Sequence, residues 1–303
     1  MDGILKWGVE VILWAQQFSP KWDFLFKIFT SFGNEIFFML LLPLVYWCLN
    51  RREGARLAIL LLITIYINAV AKALASQPRP FLYDSRVQQL YPASGGGFPS
   101  GHTQIAVAVW GYLAVRFRRG WLWVIAILMM CFIPLSRVYL GVHFPTDLLG
   151  GYVIGAFILL AYLWLAPAIE KWLIKMGMAW QLAAALALPA ALMVGYGAGE
   201  KYVITTVSTL MGIGVGLVLE RRWIGFDSGG TVERRVLRFL LGVALLFVFQ
   251  YGLKTGLSGL WPEPRLRFVR YLLSGLWVAV GAPWLFLVLG LVKTRGELRN
   301  DQG

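Results

Sequence analysis

The stretch Ser136–Pro167, SRVYLGVHFPTDLLGGYVIGAFILLAYLWLAP, joins a charged, histidine-bearing turn to an apolar run with no charge after Asp147. A membrane-spanning helix needs about 20 mainly apolar residues, with roughly 17 as a lower limit, and residues 147–167 meet that length. Pro145 suits the first helical turn, where its missing N–H costs nothing. His143 therefore sits just ahead of the helix and Asp147 within its first turn. A spacing of four lets the carboxylate reach the imidazole, holding one ring nitrogen and leaving the other free to attack. Taken alone, the same pair also reads as a structural helix cap.

Outward from this stretch, eight further runs are long enough to span: roughly 30–50, 55–72, 102–117, 121–136, 178–198, 202–219, 236–254 and 271–292. Nine spans agree with a chain of 303 residues that is 59% apolar and 14% charged, where soluble domains are about one quarter charged. The expected fold is an all-α polytopic membrane bundle of about nine transmembrane helices. Before it, residues 1–19 read as an amphipathic helix lying in the membrane surface. Lys6 and Glu10 break the run too early for a signal peptide. Ile4, Leu5, Gly8, Val11, Ile12 and Ala15 share one face, and Trp7 and Trp14 suit the interface. Residues 20–167 form the expected core and 168–303 a four-helix extension.

The net charge of +13 is distributed as a membrane-topology signal, not as a nucleic-acid face. Arg51, Arg52 and Arg56; Arg116, Arg118 and Arg119; Lys171 and Lys175; Arg221, Arg222, Arg234, Arg235 and Arg238; and Lys293, Arg295 and Arg299 fall in alternate loops. The positive-inside pattern assigns those loops to the cytoplasm and the intervening ones, with the N-terminus, to the outer side. No nucleic-acid partner is expected. Cys48 and Cys131 lie in apolar runs and read as small core residues, not a disulfide pair.

On this assignment the chemistry-bearing residues fall on one membrane face. In KALASQPRP, Lys72 to Pro80, the prolines end a helix and Lys72 and Arg79 offer two positive charges to an anion, or snorkel at the membrane edge. In GGGFPSGH, Gly95 to His102, Ser100 is a good N-cap, Gly101 lets backbone N–H groups approach a ligand, and the helix points its positive end there. Arg137 adds a third cation beside His143 and Asp147. The outer segment Lys254–Arg270, KTGLSGLWPEPRLRFVR, reads as a basic, aromatic interface loop that could also shape substrate access. Glu35 and Glu200 are polar positions near outer helix ends, of undecided role.

Lys72, six residues, Arg79-Pro80; Pro99-Ser100-Gly101-His102; Ser136-Arg137, five residues, His143, three residues, Asp147: this order resembles the signature of the type 2 phosphatidic acid phosphatase superfamily. That superfamily takes in lipid phosphate phosphatases, glucose-6-phosphatase and vanadium haloperoxidases. The resemblance covers roughly residues 20–167, and no motif position departs from it. It implies that His143 is a nucleophile forming a phosphohistidine and that Asp147 orients it. His102 would protonate the leaving oxygen and then activate water. Lys72, Arg79, Ser100, the Gly101 amide and Arg137 would cradle the phosphate oxygens. The expectation is an integral membrane phosphatase acting on a lipid phosphate monoester or diphosphate, with no cofactor and no metal, its site on the outer side of what would be a bacterial plasma membrane. A phosphatase of a soluble sugar phosphate, a lipid phosphotransferase, a vanadate-dependent peroxidase and a non-enzymatic transporter stand as alternatives.

Overall fold

A computed structural model of the chain describes residues 2–196, 201–257 and 259–294. Glu200, Arg295 and Arg299 lie outside them. The described residues form helices: α1 (Asp2–Gln16), α2 (Asp23–Ser31), α3 (Glu35–Pro43), α4 (Arg51–Ala75), α5 (Pro80–Tyr83), α6 (Gly101–Phe117), α7 (Gly120–Tyr139), α8 (Pro145–Lys175), α9 (Met178–Tyr196), α10 (Lys201–Trp223), α11 (Val232–Phe247), α12 (Leu253–Gly256), α13 (Glu263–Leu276) and α14 (Ala282–Val288). Widened π-type turns at Leu44–Leu49, Val248–Gly252 and Trp277–Gly281 continue α3, α11 and α13.

Among the described residues, seven helices are long and apolar enough to cross a membrane, or eight if the bent pair α2–α3 counts as one span. The expected nine are thus not all reproduced. The expected run 30–50 is broken between α2 and α3 by a bend of 48°, and α6, at 17 residues, stands at the lower limit for crossing. The last two spans start earlier than their apolar runs, at Val232 and Glu263. Thr231 caps the first of these, its hydroxyl accepting from the Arg234 N–H at 3.4 Å. The second takes Arg265–Arg270 out of the expected loop and into a helix.

The chain divides into two compact units, Met1–Phe38 with Ile63–Leu165, and Met39–Leu62 with Ala166–Gly303. In the first unit, α6 and α8 pack through small residues. A Cβ on Gly151 would come within 2.8 Å of the Ser100 carbonyl, and one on Gly155 within 2.8 Å of the Gln104 carbonyl. Such close approach is how helices gain contact where water supplies no driving force. α1 buries Gly8, Val9 and Ile12 against Val87, Val138, Phe144 and Leu148. α1 turns its small Gly8 to the Phe144 ring, while Ile4, Trp7 and Trp14 are exposed.

In the second unit the widened turn after α3 buries Val45, Tyr46, Trp47 and Cys48. Trp47 donates to the Val278 carbonyl at 2.9 Å and meets Phe286 edge-on. Three arginines of the topology signal are structural here. Arg51 pairs with the fully buried Glu220, Arg56 with Glu170, and the buried Arg238 caps the carbonyls of Asp227, Ser228 and Gly229. Cys48 is buried as expected, but Cys131 is exposed on α7 and is not a core residue.

Candidate active site

All eight predicted site residues fall in the first unit. Asp147 is where the three motifs meet. Its Oδ2 faces His143 Nδ1 at 3.1 Å and accepts from the Phe144 N–H at 2.9 Å. Its Oδ1 accepts from Gln77 Nε2 at 2.7 Å, tying in the KALASQPRP segment. Its backbone carbonyl accepts from the Ser100 N–H at 2.9 Å, tying in the start of α6. Asp147 is fully buried and His143 nearly so. With its oxygens placed in this way, the carboxylate fixes the Nδ1–H tautomer of His143 and leaves the Nε2 lone pair available.

Around that lone pair stand the cations. Arg79 Nη1 lies 3.3 Å from His143 Nε2 and donates to the Val142 carbonyl at 2.8 Å. Its other nitrogens reach the carbonyls of Gly95 and Ser94 at 3.0 and 2.7 Å. Lys72 Nζ donates to the carbonyls of Gly96 and Gly97 at 2.5 and 3.1 Å. The triple-glycine loop is thus clamped by two cations, which find in its carbonyl oxygens what phosphate oxygens would also offer. The buried Arg137 donates to Thr30 Oγ1 and lies 5.3 Å over the Tyr91 ring. His143 sits outside the spanning helices, and its pKa is held well below the ordinary histidine value. Burial is the main cause, followed by the positive charges of Lys72, Arg79 and Arg137 and by His102.

Ser100 caps α6, its hydroxyl accepting from the Thr103 N–H at 3.4 Å and the Thr103 hydroxyl at 2.9 Å. Gly101 rests on Asn68, whose Oδ1 would lie 2.8 Å from a Cβ there. Asn68 in turn donates to Gln104 Oε1 at 2.9 Å and to the Pro99 carbonyl at 3.3 Å. His102, half-buried, sets the Cδ2 edge of its ring against Gly33, where a Cβ would come within 2.3 Å of it. Its Nε2 faces Asn34 Oδ1 at 3.3 Å, and Asn34 Nδ2 donates to the Tyr91 hydroxyl at 2.8 Å.

The sequence reading missed Thr30, Gly33, Asn34, Gln77 and Tyr91. Thr30, Gly33, Asn34 and Tyr91 carry no charge themselves, and Gln77 stands uncharged between the two cations of its motif. The one available signal was Gly33-Asn34 interrupting the run 30–50, a pair that favours a break in a helix.

A family model described as the PAP2 superfamily matches residues 53–171, and one described as the PAP2 superfamily phosphatase transmembrane extension matches residues 204–295. Together they take in well over half of the chain. The chain belongs to the PAP2 superfamily. Among relatives of this PAP2 chain, undecaprenyl-diphosphatase of Sulfolobus acidocaldarius is 32% identical over 110 residues, covering 36% of the chain and 53% of that protein. Sphingosine-1-phosphate phosphatase 2 of Mus musculus is 30% identical over 140 residues, covering 44% and 39% respectively. The PAP2 chain spans about half or less of the length of these relatives. A crystal structure of a transmembrane PAP2 type phosphatidylglycerolphosphate phosphatase from Bacillus subtilis is 21% identical, with a TM-score of 0.48, covering 56% of this chain and 89% of that one.

Proposed function

We propose that this PAP2 protein is an integral membrane phosphatase that hydrolyses a lipid phosphate monoester or diphosphate through a phosphohistidine on His143. The observation that carries the reading is the state of one imidazole. Its Nδ1 is held by a buried carboxylate, and its Nε2 faces a guanidinium among three cations. In the first step the substrate's phosphate oxygens take places now filled by loop carbonyls on Lys72 and Arg79, with Arg137 and the Ser100–Gly101 helix start adding donors. The Nε2 lone pair of His143 attacks phosphorus, the bond from phosphorus to the lipid oxygen (or to the bridging oxygen of a diphosphate) breaks, and His102 gives that oxygen a proton. In the second step His102 takes a proton from water, whose oxygen attacks the phosphohistidine. The P–N bond breaks, inorganic phosphate leaves, and His143 Nε2 regains its lone pair.

The negative charge that develops on the transferring group is met by preorganised cations, and the reaction as written uses no metal. A lipid substrate is favoured because the reacting groups stand at helix starts, where a headgroup lies while its chain stays in hydrocarbon. Relatives named for undecaprenyl diphosphate and sphingosine 1-phosphate point the same way. The positive-inside pattern puts the site on the outer face. The deciding experiment gives purified protein a panel of phosphatidic acid, phosphatidylglycerol phosphate, isoprenoid diphosphate, sphingoid phosphate and glucose 6-phosphate, with and without EDTA. Phosphate release from at least one lipid, undiminished by EDTA and lost in His143→Ala, is expected. Full activity in His143→Ala would remove the mechanism, and release from glucose 6-phosphate alone would remove the lipid reading.

A further inference from the structure

The second unit buries an arginine inside an apolar span. Arg270 lies two turns into α13, 7% exposed, and its Nε makes no hydrogen bond. Among the described residues no carboxylate lies within ion-pair distance of it. Glu263, at the start of the same helix, pairs with Arg267, and Glu220 with Arg51. The contact it does make is with the ring of its neighbour Tyr271, at 5.4 Å. A charge in this position is costly, and such residues in spanning helices ordinarily face a partner of opposite charge. Buried polar groups without a partner are rare enough to call for one.

The groups nearest in level to Arg270 are polar as well. A Cβ on Gly212 would meet the Leu272 carbonyl at 2.2 Å, and one on Gly216 would meet Ala279 at 2.6 Å. α10 and α13 therefore run in the same direction in close contact. Carrying that register back toward the helix starts brings Arg270 level with Thr206–Ser208. Thr206 is 2% exposed, and its hydroxyl, too, is buried without a partner. One turn further along α13, Ser274 accepts from Gln250 Nε2 at 2.9 Å. Gln250 sits in the widened turn that continues α11, a feature often found at functional sites. Three spans thus contribute the buried polar residues Thr206, Gln250, Arg270 and Ser274.

We propose that the second unit holds an anion site of its own, in which the Arg270 guanidinium binds a phosphate-bearing ligand and Thr206 donates its hydroxyl. A guanidinium fits phosphate oxygens two at a time. The shared chemistry is a phosphate group, carried by a lipid or free in water. This proposal stands apart from the reaction at His143, and a His143→Ala background separates the two by blocking turnover.

Full-length His143→Ala protein in detergent is titrated with dihexanoyl phosphatidic acid and, separately, with inorganic phosphate, and native mass spectrometry counts the anions bound. Two bound molecules of phosphatidic acid are expected. Adding Arg270→Met should leave one, and Arg270→Lys should keep the second at least about tenfold more weakly. Loss of the second site for the lipid alone identifies a headgroup, and loss for both ligands identifies a site open to free phosphate. Without any anion, the Arg270→Met protein should unfold at the same temperature or higher, since a costly buried charge has gone. An unchanged count in Arg270→Met, whether the parent binds one anion or two, or a lower unfolding temperature of the anion-free Met variant overturns the proposal and leaves Arg270 a structural residue; a single anion that Arg270→Met removes counts against binding at the His143 site instead.

Discussion

Asp147 and the positive charges around His143 act on a single proton equilibrium, and that sets the pH behaviour. Burial and the neighbouring cations hold the His143 pKa well below its ordinary value, so the ring keeps its Nε2 lone pair below about pH 6.5. The acid limb of kcat/KM should therefore lie below that value. Lys72→Met removes one positive charge and should move the limb to higher pH; a pH profile in which it stays or falls would contradict the assignment. The same depression means that below about pH 6.5 the unfolded chain takes up a proton that folded His143 refuses, so this residue lowers stability as pH falls. Asn34 is the second residue with a stated outcome. It holds His102 Nε2 at 3.3 Å and is itself held by Tyr91. Asn34→Ala should lower kcat about tenfold with little change in KM, since proton transfer depends on ring orientation while phosphate binding does not. A change confined to KM would make Asn34 a binding residue instead.

At the scale of elements, the site depends on helix starts being brought close. α6 and α8 begin with the PSGH and HFPTD segments, and small residues let their first turns approach until the Ser100 N–H reaches the Asp147 carbonyl. Gly155→Leu would force a side chain into the space beside the Gln104 carbonyl, already 2.8 Å from a Cβ. Overpacking of this kind costs typically about 1–3 kcal/mol, and here it also parts the two histidine-bearing ends. Lower thermal stability and loss of activity together are expected; activity at the wild-type level with an unchanged melting temperature would contradict the packing account. The break between α2 and α3 has the matching role on the other side of His102. It places Gly33 against Cδ2 of the imidazole and Asn34 at its Nε2, which a straight helix through 30–50 would not do.

For the whole molecule, the charge pattern makes a prediction about sidedness. Gln89, in the exposed loop ahead of α6, and Arg119, just past its end, should face opposite compartments. In a background without Cys48 and Cys131, an impermeant thiol reagent applied to intact cells should label Gln89→Cys, and should label Arg119→Cys only after the membrane is opened. Labelling of both from one side would overturn the topology. The motifs stand out without coordinates because the family resemblance rests on particular side chains at fixed spacings, and the spans because about 20 apolar residues leave few alternatives in a bilayer. Those two constraints act along the chain, so Lys72, Arg79, Ser100, Gly101, His102, Arg137, His143 and Asp147 could be named from sequence. The bend at Gly33-Asn34, the clamp of Lys72 and Arg79 on the glycine loop, Gln77 on Asp147, and the burial of Arg238 and Arg270 depend on groups far apart in sequence meeting in space. No local pattern encodes such meetings, because each is chosen by packing between helices and by the need to satisfy polar groups away from water.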